Sequence, residues 1–216
     1  MTRWRPPVTS PTDTSARPRG RREEQRERTR RDLLDAAARV FAAQGYHAAS
    51  VDDVAEAAGY TKGAVYSNFD SKEELFLALL ERQIDQAVGV LEGVLQEAAP
   101  EDVGRLVGER QGAIAVLDRD WFLLETEFLL YAARNASVRD RIAERQRRTQ
   151  ERITELIARH MDDLGVDTDT FDPADVAQLL TATADGLTQA SLVEDVDAGR
   201  LLSLQIQLFV RAAMAR

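Results

Sequence analysis

Residues 50–69 read SVDDVAEAAGYTKGAVYSNF, and this stretch predicts two short helices joined by a tight turn. Ser50 with Asp53 three positions later has the spacing of a capping box, and Thr61 offers a cap for the second helix. Gly59 stands between the two helices, where the turn needs a residue that tolerates positive φ. The small apolar side chains inside the stretch supply a core at the crossing. This arrangement is that of a helix-turn-helix, a motif that places its second helix in the major groove of DNA.

The outer side of the second predicted helix carries groups that suit a nucleic acid. Thr61 lies where the amides of a helix N-terminus can hold a phosphate, and Lys62 adds a cation at the same end. Lys62 and Lys72 are the only lysines among the 28 basic residues of the chain. A compact ammonium at such a site differs in use from the planar fork of an arginine. The spacing also fits an αα-hairpin with an exposed polar face, and the residues alone leave both explanations open.

The motif and the residues around it resemble the TetR family of bacterial transcriptional regulators. The matching runs are AGYTKGAVYSNF at 58–69, SKEEL at 71–75, LLDAA at 33–37 and FAAQGY at 41–46. The clear resemblance covers about residues 22–82. It implies a three-helix DNA-binding head on a larger α-helical body that binds a ligand and forms dimers.

The resemblance also implies which residues contact DNA. The implied phosphate contacts are Ser50, Thr61, Tyr66 and Lys72. The implied base or backbone contacts are Tyr60, Lys62, Gly63, Ser67 and Asn68. Phosphate contacts position a protein on the duplex, whereas contacts with base edges read the sequence.

Composition excludes several other classes of protein. The 216 residues include no cysteine and two histidines, which excludes disulfide scaffolds and argues against a histidine-based metal or acid–base site. No apolar run is long enough to span a bilayer, and the chain contains neither a P-loop nor a G-x-G-x-x-G motif. We therefore predict a cytoplasmic protein without cofactor, metal site or membrane span.

The net charge of −9 is distributed unevenly along the chain. Residues 1–72 hold 13 basic and 10 acidic residues, a net charge of +3, whereas residues 73–216 hold 15 and 27, a net charge of −12. An excess of positive charge in one segment is typical of contact with a polyanion. The predicted parts are a flexible basic N-terminal arm (1–22), a helix-turn-helix DNA-binding domain (23–70) and an α-helical ligand-binding and dimerisation domain (71–216).

Helical periodicity continues almost to the end of the chain, and no segment alternates as a strand does. We therefore predict an all-α fold of about nine helices. Ser71 with Glu74 forms a capping box before a long fourth helix, Ser137 is the predicted cap of the seventh, and Asp172-Pro173 begins the eighth. Other predicted bounds are 23–44, 101–117, 119–134, 137–163 and 197–213.

The last two predicted helices carry small or apolar side chains on most of their surface. Such helices need cover on more than one side, and a two-fold four-helix interface between two copies of the chain supplies it. The predicted interface residues are Leu180, Ala184, Leu187, Leu202, Ile206 and Phe209. Burial within one protomer explains the same pattern, so the two explanations stay open.

The sixth predicted helix carries large aromatic side chains and a carboxylate along one face. This combination is typical of a small-molecule site, although plain core packing gives the same stripe. The candidate ligand-binding residues are Trp121, Glu125, Phe128, Tyr131, Gln150 and Thr183. A buried Glu125 needs a partner, either a cationic ligand or an arginine of the next helix between Arg134 and Arg152.

Together these expectations describe a ligand-responsive, sequence-specific DNA-binding transcriptional regulator rather than an enzyme. Its simplest form is a repressor that a small molecule releases from a palindromic operator. Its predicted partners are double-stranded DNA, a second copy of the chain and a small-molecule effector that the sequence does not identify. One alternative is a helical interaction module that does not read specific DNA. The other is a helical-bundle enzyme, but the sequence contains no nucleophile or cofactor motif that supports it.

Overall fold

The computed structural model describes residues 17–110 and 119–214, and the regular elements within these ranges are helices. They are α1 (Arg17–Ala48), α2 (Val51–Ala58), α3 (Lys62–Tyr66), α4 (Lys72–Glu97), α5 (Val103–Glu109), α6 (Arg119–Arg134), α7 (Ala136–Asp163), α8 (Pro173–Ser191) and α9 (Ala198–Met214), with a 3-10 turn at Pro100–Asp102. The prediction of an all-α fold is confirmed. We call α1–α3 the head and α4–α9 the body. None of the helices described is both long and apolar enough to cross a membrane.

Short polar side chains begin the helices at the predicted positions. The hydroxyl of Ser50 accepts a hydrogen bond from the backbone N–H of Asp53 (3.1 Å), and the Asp53 carboxylate accepts one from the N–H of Ser50 (2.9 Å). Side-chain oxygens of Thr61, Ser71 and Asp172 accept bonds of 3.2, 3.1 and 2.7 Å at the starts of α3, α4 and α8. Each bond satisfies an N–H group that the helix itself leaves without a partner.

One hydrophobic cluster extends from the head into the body. Its almost completely buried members include Phe41 of α1, Val65 of α3, Phe76 of α4 and Phe128 of α6. The ring centroid of Phe76 lies 5.2 Å from that of Phe41 and 4.4 Å from that of Phe128. Because interiors are close-packed, a movement of α6 is transmitted to α1 through these rings.

Two further clusters fill the part of the body away from the head. One joins α4, α5, α8 and α9 and includes Val94 and Leu202, and the other joins α7 to α8 and includes Ile157. The packing of α5 on α9 is close, since a Cβ added to Gly104 would lie 2.5 Å from the carbonyl oxygen of Ser203. A larger residue at this position would therefore push the two helices apart.

The first helix begins earlier than predicted. It begins at Arg17, so residues 17–22 of the segment predicted as a flexible arm are helical, and residues 1–16 lie outside the described ranges. Pro18 is tolerated in the first turn of a helix, and Arg19, Arg21 and Arg22 are good helix formers, so the helix can begin before the predicted start. The predicted stop at Gly45 is confirmed, since its φ of 79° and ψ of 166° are not helical, and a short helical turn follows it to Ala48 within α1.

Two predicted boundaries in the body are wrong. The helix predicted over 101–117 ends at Glu109, after two glycines that weaken it, and residues 111–117 lie outside the described ranges. Helix α7 begins at Ala136, so Ser137 lies inside it and does not cap it. The side chain of Asn135 donates to the carbonyl of Tyr131 at the end of α6 (2.7 Å). One residue therefore separates α6 from α7.

Candidate nucleic-acid interface and ligand cavity

The outer face of α3 is exposed to solvent. Thr61, Lys62, Gly63 and Tyr66 are exposed, and Tyr66 shows 46% of its surface to solvent. Val65, between them in sequence, is 1% exposed and packs into the head. The helix-turn-helix therefore presents hydroxyl, ammonium and phenol groups on one open surface.

The ammonium group of Lys62 has an acidic neighbour on this surface. Its Nζ donates to Oδ2 of Asp52 on α2 at 2.8 Å, and this bond raises the pKa of Lys62. Both side chains are more than half exposed, so water and salt weaken the pair. A DNA phosphate can replace Asp52 as the partner of Lys62 with little loss of stability.

Gly63 leaves open space at the beginning of α3. A Cβ added there would have Oγ1 of Thr61 as its near neighbour, at 3.8 Å, an ordinary van der Waals distance. The packing of the head therefore does not require glycine at this position. The missing side chain leaves room for a partner outside the protein to approach the helix backbone.

Tyr60 faces the inside of the head, so its side chain does not support the DNA contact expected of it. Its hydroxyl donates to Oδ2 of Asp32 on α1 at 2.9 Å, and its ring packs against the hydrophobic cluster of the head. Because its polar group is used within the protein, Tyr60 attaches the turn between α2 and α3 to α1.

Two other predicted base contacts take part in ending α3. The Ser67 hydroxyl and the Asn68 amide both donate to the carbonyl of Ala64, each at 2.8 Å. Carbonyls in the last turn of a helix lack backbone partners, which these side chains replace. Ser67 is nevertheless exposed, whereas Asn68 is half-buried and its Oδ1 is shielded from solvent. Asn68 therefore serves the helix end, and its predicted contact with a base is not supported.

Ser50 and Lys72 lie on either side of the motif. The Nζ of Lys72 donates to the carbonyl of His47 (3.2 Å) and lies 4.5 Å from the centroid of the Tyr46 ring, and burial lowers the pKa of this lysine. The Ser50 hydroxyl donates to the Asp53 carboxylate at 2.7 Å. An ammonium has three donors, so Lys72 retains the capacity to bind a phosphate while it holds His47.

Helix α6 is bonded to the head by Glu127, a residue that the sequence pattern does not single out. Its two carboxylate oxygens accept hydrogen bonds from the backbone N–H groups of Tyr46 and His47, each at 2.9 Å. A Cβ on Gly45 would lie 2.9 Å from Oε2 of Glu127. Glycine at position 45 therefore permits both the positive φ and the approach of the carboxylate. We call this arrangement of Glu127 and the two N–H groups the Glu127 clasp.

A second bond from the same face of α6 reaches the beginning of α4. Tyr131, one turn after Glu127, donates its hydroxyl proton to Oε1 of Glu73 at 2.8 Å. Its ring centroid lies 5.2 Å from that of Tyr46. Helix α6 thus contacts the chain both before and after the helix-turn-helix, and these bonds determine how the head sits on the body.

The aromatic residues predicted to bind a ligand belong to the protein core. Trp121 is 9% exposed, Phe128 is completely buried, and both lie in the cluster shared by head and body. The Tyr131 hydroxyl donates a hydrogen bond to Glu73. Phe128 has no free surface and Trp121 has little, which favours core packing as the explanation of this stripe, and a ligand contact by these residues stays a prediction.

Glu125 has the arginine partner that was one of its two predicted options. Nη1 of Arg145 on α7 lies 3.6 Å from Oε1 of Glu125. Burial raises the pKa of Glu125, the charge of Arg145 lowers it, and the nearby Asp185 raises it further. Of the other two candidates, Thr183 accepts a bond of 3.0 Å from a glutamine of α9, and Gln150 has a buried Nε2 without a hydrogen-bond partner in the described ranges.

An apolar cavity lies in a different place, between the ends of α4, α5, α7, α8 and α9 that are distant from the head. Its volume is about 110 Å³, and its wall contains none of the six predicted ligand-binding residues. Wall residues include Leu95, Val107, Ile157, His160, Phe171 and Phe209. His160 is the one ionisable side chain in the wall; burial lowers its pKa, and its Nε2 lacks a hydrogen-bond partner among the described residues.

Comparison with known proteins identifies the family. Residues 33–79 match the model of bacterial regulatory proteins of the tetR family, and residues 115–209 match the C-terminal model of BetI-type transcriptional repressors. The chain is 30% identical to the transcriptional repressor AcnR of Corynebacterium diphtheriae over 155 residues, which are 71% of this chain and 70% of AcnR. The chain belongs to the TetR family. It is therefore a DNA-binding transcriptional regulator and not an enzyme, as the sequence predicts.

Other proteins share the TetR-family fold or part of the sequence. The transcriptional activator FasR of Mycolicibacterium smegmatis is 48% identical over 63 residues, which are 29% of this chain and 29% of FasR. The solved structure of a SmeT–triclosan complex is 26% identical, with a TM-score of 0.56 over 86% of this chain and 90% of that one. The similarity to FasR is thus confined to a short region, whereas the similarity to SmeT extends over both head and body.

The interface residues predicted for this TetR-family chain also contribute to packing within the protomer. Ala184 and Leu202 are 5% and 6% exposed, and the other four are partly buried against the clusters of the body. Their assignment to an intermolecular surface stays a prediction. The exposed large apolar residues of the two helices and the turn between them are Leu179, Val193, Leu204 and Leu208.

Proposed function

We propose that this TetR-family regulator is a repressor that binds a palindromic operator as a homodimer and leaves it when an uncharged apolar molecule occupies the body cavity. The observation that carries the proposal is the open face of α3 with Thr61, Lys62 and Tyr66, on a head that the Glu127 clasp bonds to the body. A change in the body therefore has a direct route to the DNA-binding surface.

The repressor assignment rests on AcnR and on the family model that matches the body. AcnR is a repressor and aligns over 71% of this chain, and the C-terminal match is to BetI-type repressors. The activator FasR aligns over 29%. The part of the chain that responds to a ligand therefore has repressors as its relatives.

For the DNA contacts we retain seven of the nine residues that the resemblance implies. Thr61, Lys62, Gly63, Tyr66 and Ser67 are on the open side of α3, and Ser50 and Lys72 are at its edges. A helix of five residues reads few base pairs. Two copies related by a two-fold axis place two such helices in major grooves about 34–36 Å apart, which makes a palindrome the matching operator.

The outward faces of α8 and α9 are the surface that we assign to the homodimer. Leu204 and Leu208 lie one turn apart on α9 and are 46% and 58% exposed, and Leu179 on α8 is 52% exposed. Contiguous apolar surface of this kind is unfavourable in water and is typical of a protein interface. Pairing of these faces between two copies removes it from solvent.

The chemistry of the cavity wall indicates the class of effector. The wall is apolar except for His160, which is uncharged because burial lowers its pKa. A charged group placed there would lose its hydration without gaining an ionic partner. We therefore expect an uncharged hydrophobic molecule, and the SmeT–triclosan complex supports small-molecule binding in a fold of this kind.

Footprinting on the DNA that flanks the gene tests operator binding. We expect the wild-type protein to protect an inverted repeat, and Lys62→Ala and Tyr66→Ala each to weaken binding about 10-fold or more, since contacts at this surface are worth about 1–3 kcal/mol. Arg141→Ala, which removes an exposed cation from α7, is the matched control. Wild-type-like binding by both head variants would refute the proposed interface.

A pair of probes that differ only in charge tests the effector class. We expect 1-octanol to raise the melting temperature and to release the operator, and octanoate at the same concentration to do neither, because the carboxylate has no partner in the wall. Val107→Trp, which fills the cavity, should abolish both effects of octanol. Equal responses to the two probes, or a full response by Val107→Trp, would contradict the assignment.

A further inference from the structure

The N-terminal part of α1 extends beyond the core of the head. Each residue from Arg21 to Arg28 is exposed, and among the side chains that the structure describes in this helix the first buried one is Leu33. From Arg17 to Arg30 the helix is about 20 Å long at 1.5 Å per residue. A helix segment that buries nothing is stabilised neither by a core nor by its neighbours in the described protein.

The position of this segment relative to α3 is determined by Arg30. Its Nη1 donates to the carbonyl of Asn68 (3.1 Å), and its guanidinium lies 4.4 Å from the centroid of the Phe69 ring. Asn68 and Phe69 follow the last residue of α3 by two and three positions. The exposed part of α1 therefore begins next to the end of the recognition helix.

The segment is strongly cationic, and its cations are not paired. Residues 17–31 contain eight arginines and three glutamates. Among the described side chains, no ion pair is formed by Arg21, Arg22, Arg26, Arg28 or Arg31, although Glu24 and Glu27 stand at helical spacing from two of them. The arginines of α7 behave differently, since Arg147 and Arg148 both pair with Glu144.

We propose that the exposed turns of α1 are a second DNA-contacting element, whose arginines bind phosphates of the same duplex that α3 reads. Three features support DNA as the occupant: the positive charge, the guanidinium groups without partners and the attachment to the end of the recognition helix. Guanidinium groups pair well with phosphate oxygens. This inference rests on the proposed function, because it needs an operator bound by α3.

The contacts of this element are with the backbone and not with the bases. Phosphate contacts carry no direct sequence information but fix position and add affinity. The element therefore strengthens binding to operator and to unrelated DNA by similar factors. It also compensates within the DNA-binding region for the net charge of −12 carried by residues 73–216, which repels the duplex.

The test compares two full-length variants with the same reduction in charge. One replaces Arg21, Arg22, Arg26 and Arg28 by glutamine, and the control replaces four exposed arginines of α7, namely Arg139, Arg141, Arg147 and Arg148. Affinity for the operator and for a scrambled duplex of equal length is measured between about 50 and 200 mM salt. A third variant with lysine at the four α1 positions keeps the charge, and circular dichroism checks the helix content of all three.

We expect the α1 glutamine variant to bind both duplexes about 10-fold or more weakly than wild type, with an unchanged ratio between them. The slope of log K against log salt should fall by about 0.9 for each phosphate that the variant no longer neutralises. The lysine variant should restore most of both quantities, and the α7 control should match wild type.

An α1 variant that matches the α7 control in affinity and slope overturns the proposal and leaves another polyanion as the occupant. A weakening confined to the operator overturns it as well, because the segment would then read bases. A wild-type protein without a footprint refutes the proposed function itself, which is a different outcome from these two.

Discussion

At Gly45 the backbone adopts a conformation that residues with a Cβ rarely occupy, with φ of 79° and ψ of 166°. The interruption turns α1 into a new helical start, whose first N–H groups have no carbonyl before them. Glu127 supplies the acceptors for Tyr46 and His47. The conformation of Gly45 thus leaves two backbone N–H groups of the head available to donate hydrogen bonds to Glu127 of the body.

We expect Gly45→Ala to lower the free energy of unfolding by about 1–3 kcal/mol, because alanine is strained at this φ and its Cβ would displace Oε2 of Glu127. Gly89→Ala is the control, since Gly89 is a helical glycine of α4 with open space around its Cβ. This control should gain about 0.5–1 kcal/mol. Urea unfolding of both variants measures the difference, and equal stabilities would contradict the role of Gly45.

His160 should make stability depend on pH. Burial lowers its pKa from the ordinary value of 6.5, and only the charge of Asp163 opposes this shift. The unfolded chain therefore binds a proton at a higher pH than the folded chain does, so the free energy of unfolding decreases as the pH falls below about 6.5. His160→Gln should remove this part of the decrease. Urea unfolding at pH 7.5 and 5.5 checks it, and identical pH dependence in the two proteins would refute it.

Helix α6 bonds to the chain on both sides of the helix-turn-helix. Glu127 and Tyr131 lie one turn apart on it, and they bond to the end of α1 and to the start of α4. Phe128, between them, packs on Phe76. Because three residues of one helix contact both sides of the helix-turn-helix, a shift of α6 changes the position of the head as a unit.

Removal of the Glu127 clasp should weaken the effect of a ligand in the body on DNA binding by the head. We expect Glu127→Ala to lower the free energy of unfolding by about 1–3 kcal/mol, since it leaves the N–H groups of Tyr46 and His47 without acceptors. Amide hydrogen exchange at both groups should accelerate, and release of operator by octanol should weaken. Glu155→Ala, at an exposed position of α7, is the control. Unchanged exchange at Tyr46 and His47 would show that the clasp does not hold in solution.

The sequence predicts features that depend on neighbours along the chain. It does not predict contacts between residues that are distant in sequence. The caps at Ser50 and Thr61 are local, since each donor lies within three residues of its acceptor, and both are confirmed. Glu127 lies 81 residues from Tyr46, and nothing local marks it. The orientation of Tyr60 also depends on a distant partner, Asp32, which the family pattern at this position does not indicate.

At the scale of the whole molecule, helices α8 and α9 are apolar on two sides. The sequence pattern therefore does not identify which side is buried within the protomer. Helical periodicity identifies a buried face when the opposite face is polar. In α9 the inward Leu202 and Ile206 alternate with the outward Leu204 and Leu208. The sequence therefore predicts that these helices need cover on both sides, but not which side belongs to the protomer.

We expect the double substitution Leu204→Glu with Leu208→Glu to convert a dimer to a monomer at micromolar concentration, because four charges would face each other across the two-fold axis. Operator affinity should fall with it, since one head reads a half-site. Leu130→Glu is the control, at a residue of α6 that is 57% exposed. Sedimentation velocity measures the oligomeric state of the variants. A double variant that sediments like the wild-type dimer would place the interface elsewhere.

The Glu127 clasp binds backbone N–H groups. It therefore places little requirement on the side chains of the residues that carry these groups. The clasp itself requires of the head a glycine followed by an aromatic residue, since the ring of Tyr46 packs on Phe128 and Tyr131. A head with another operator preference that is grafted onto this body must therefore keep this dipeptide, and it must also keep the apolar side chains, such as Phe41, that pack on α4.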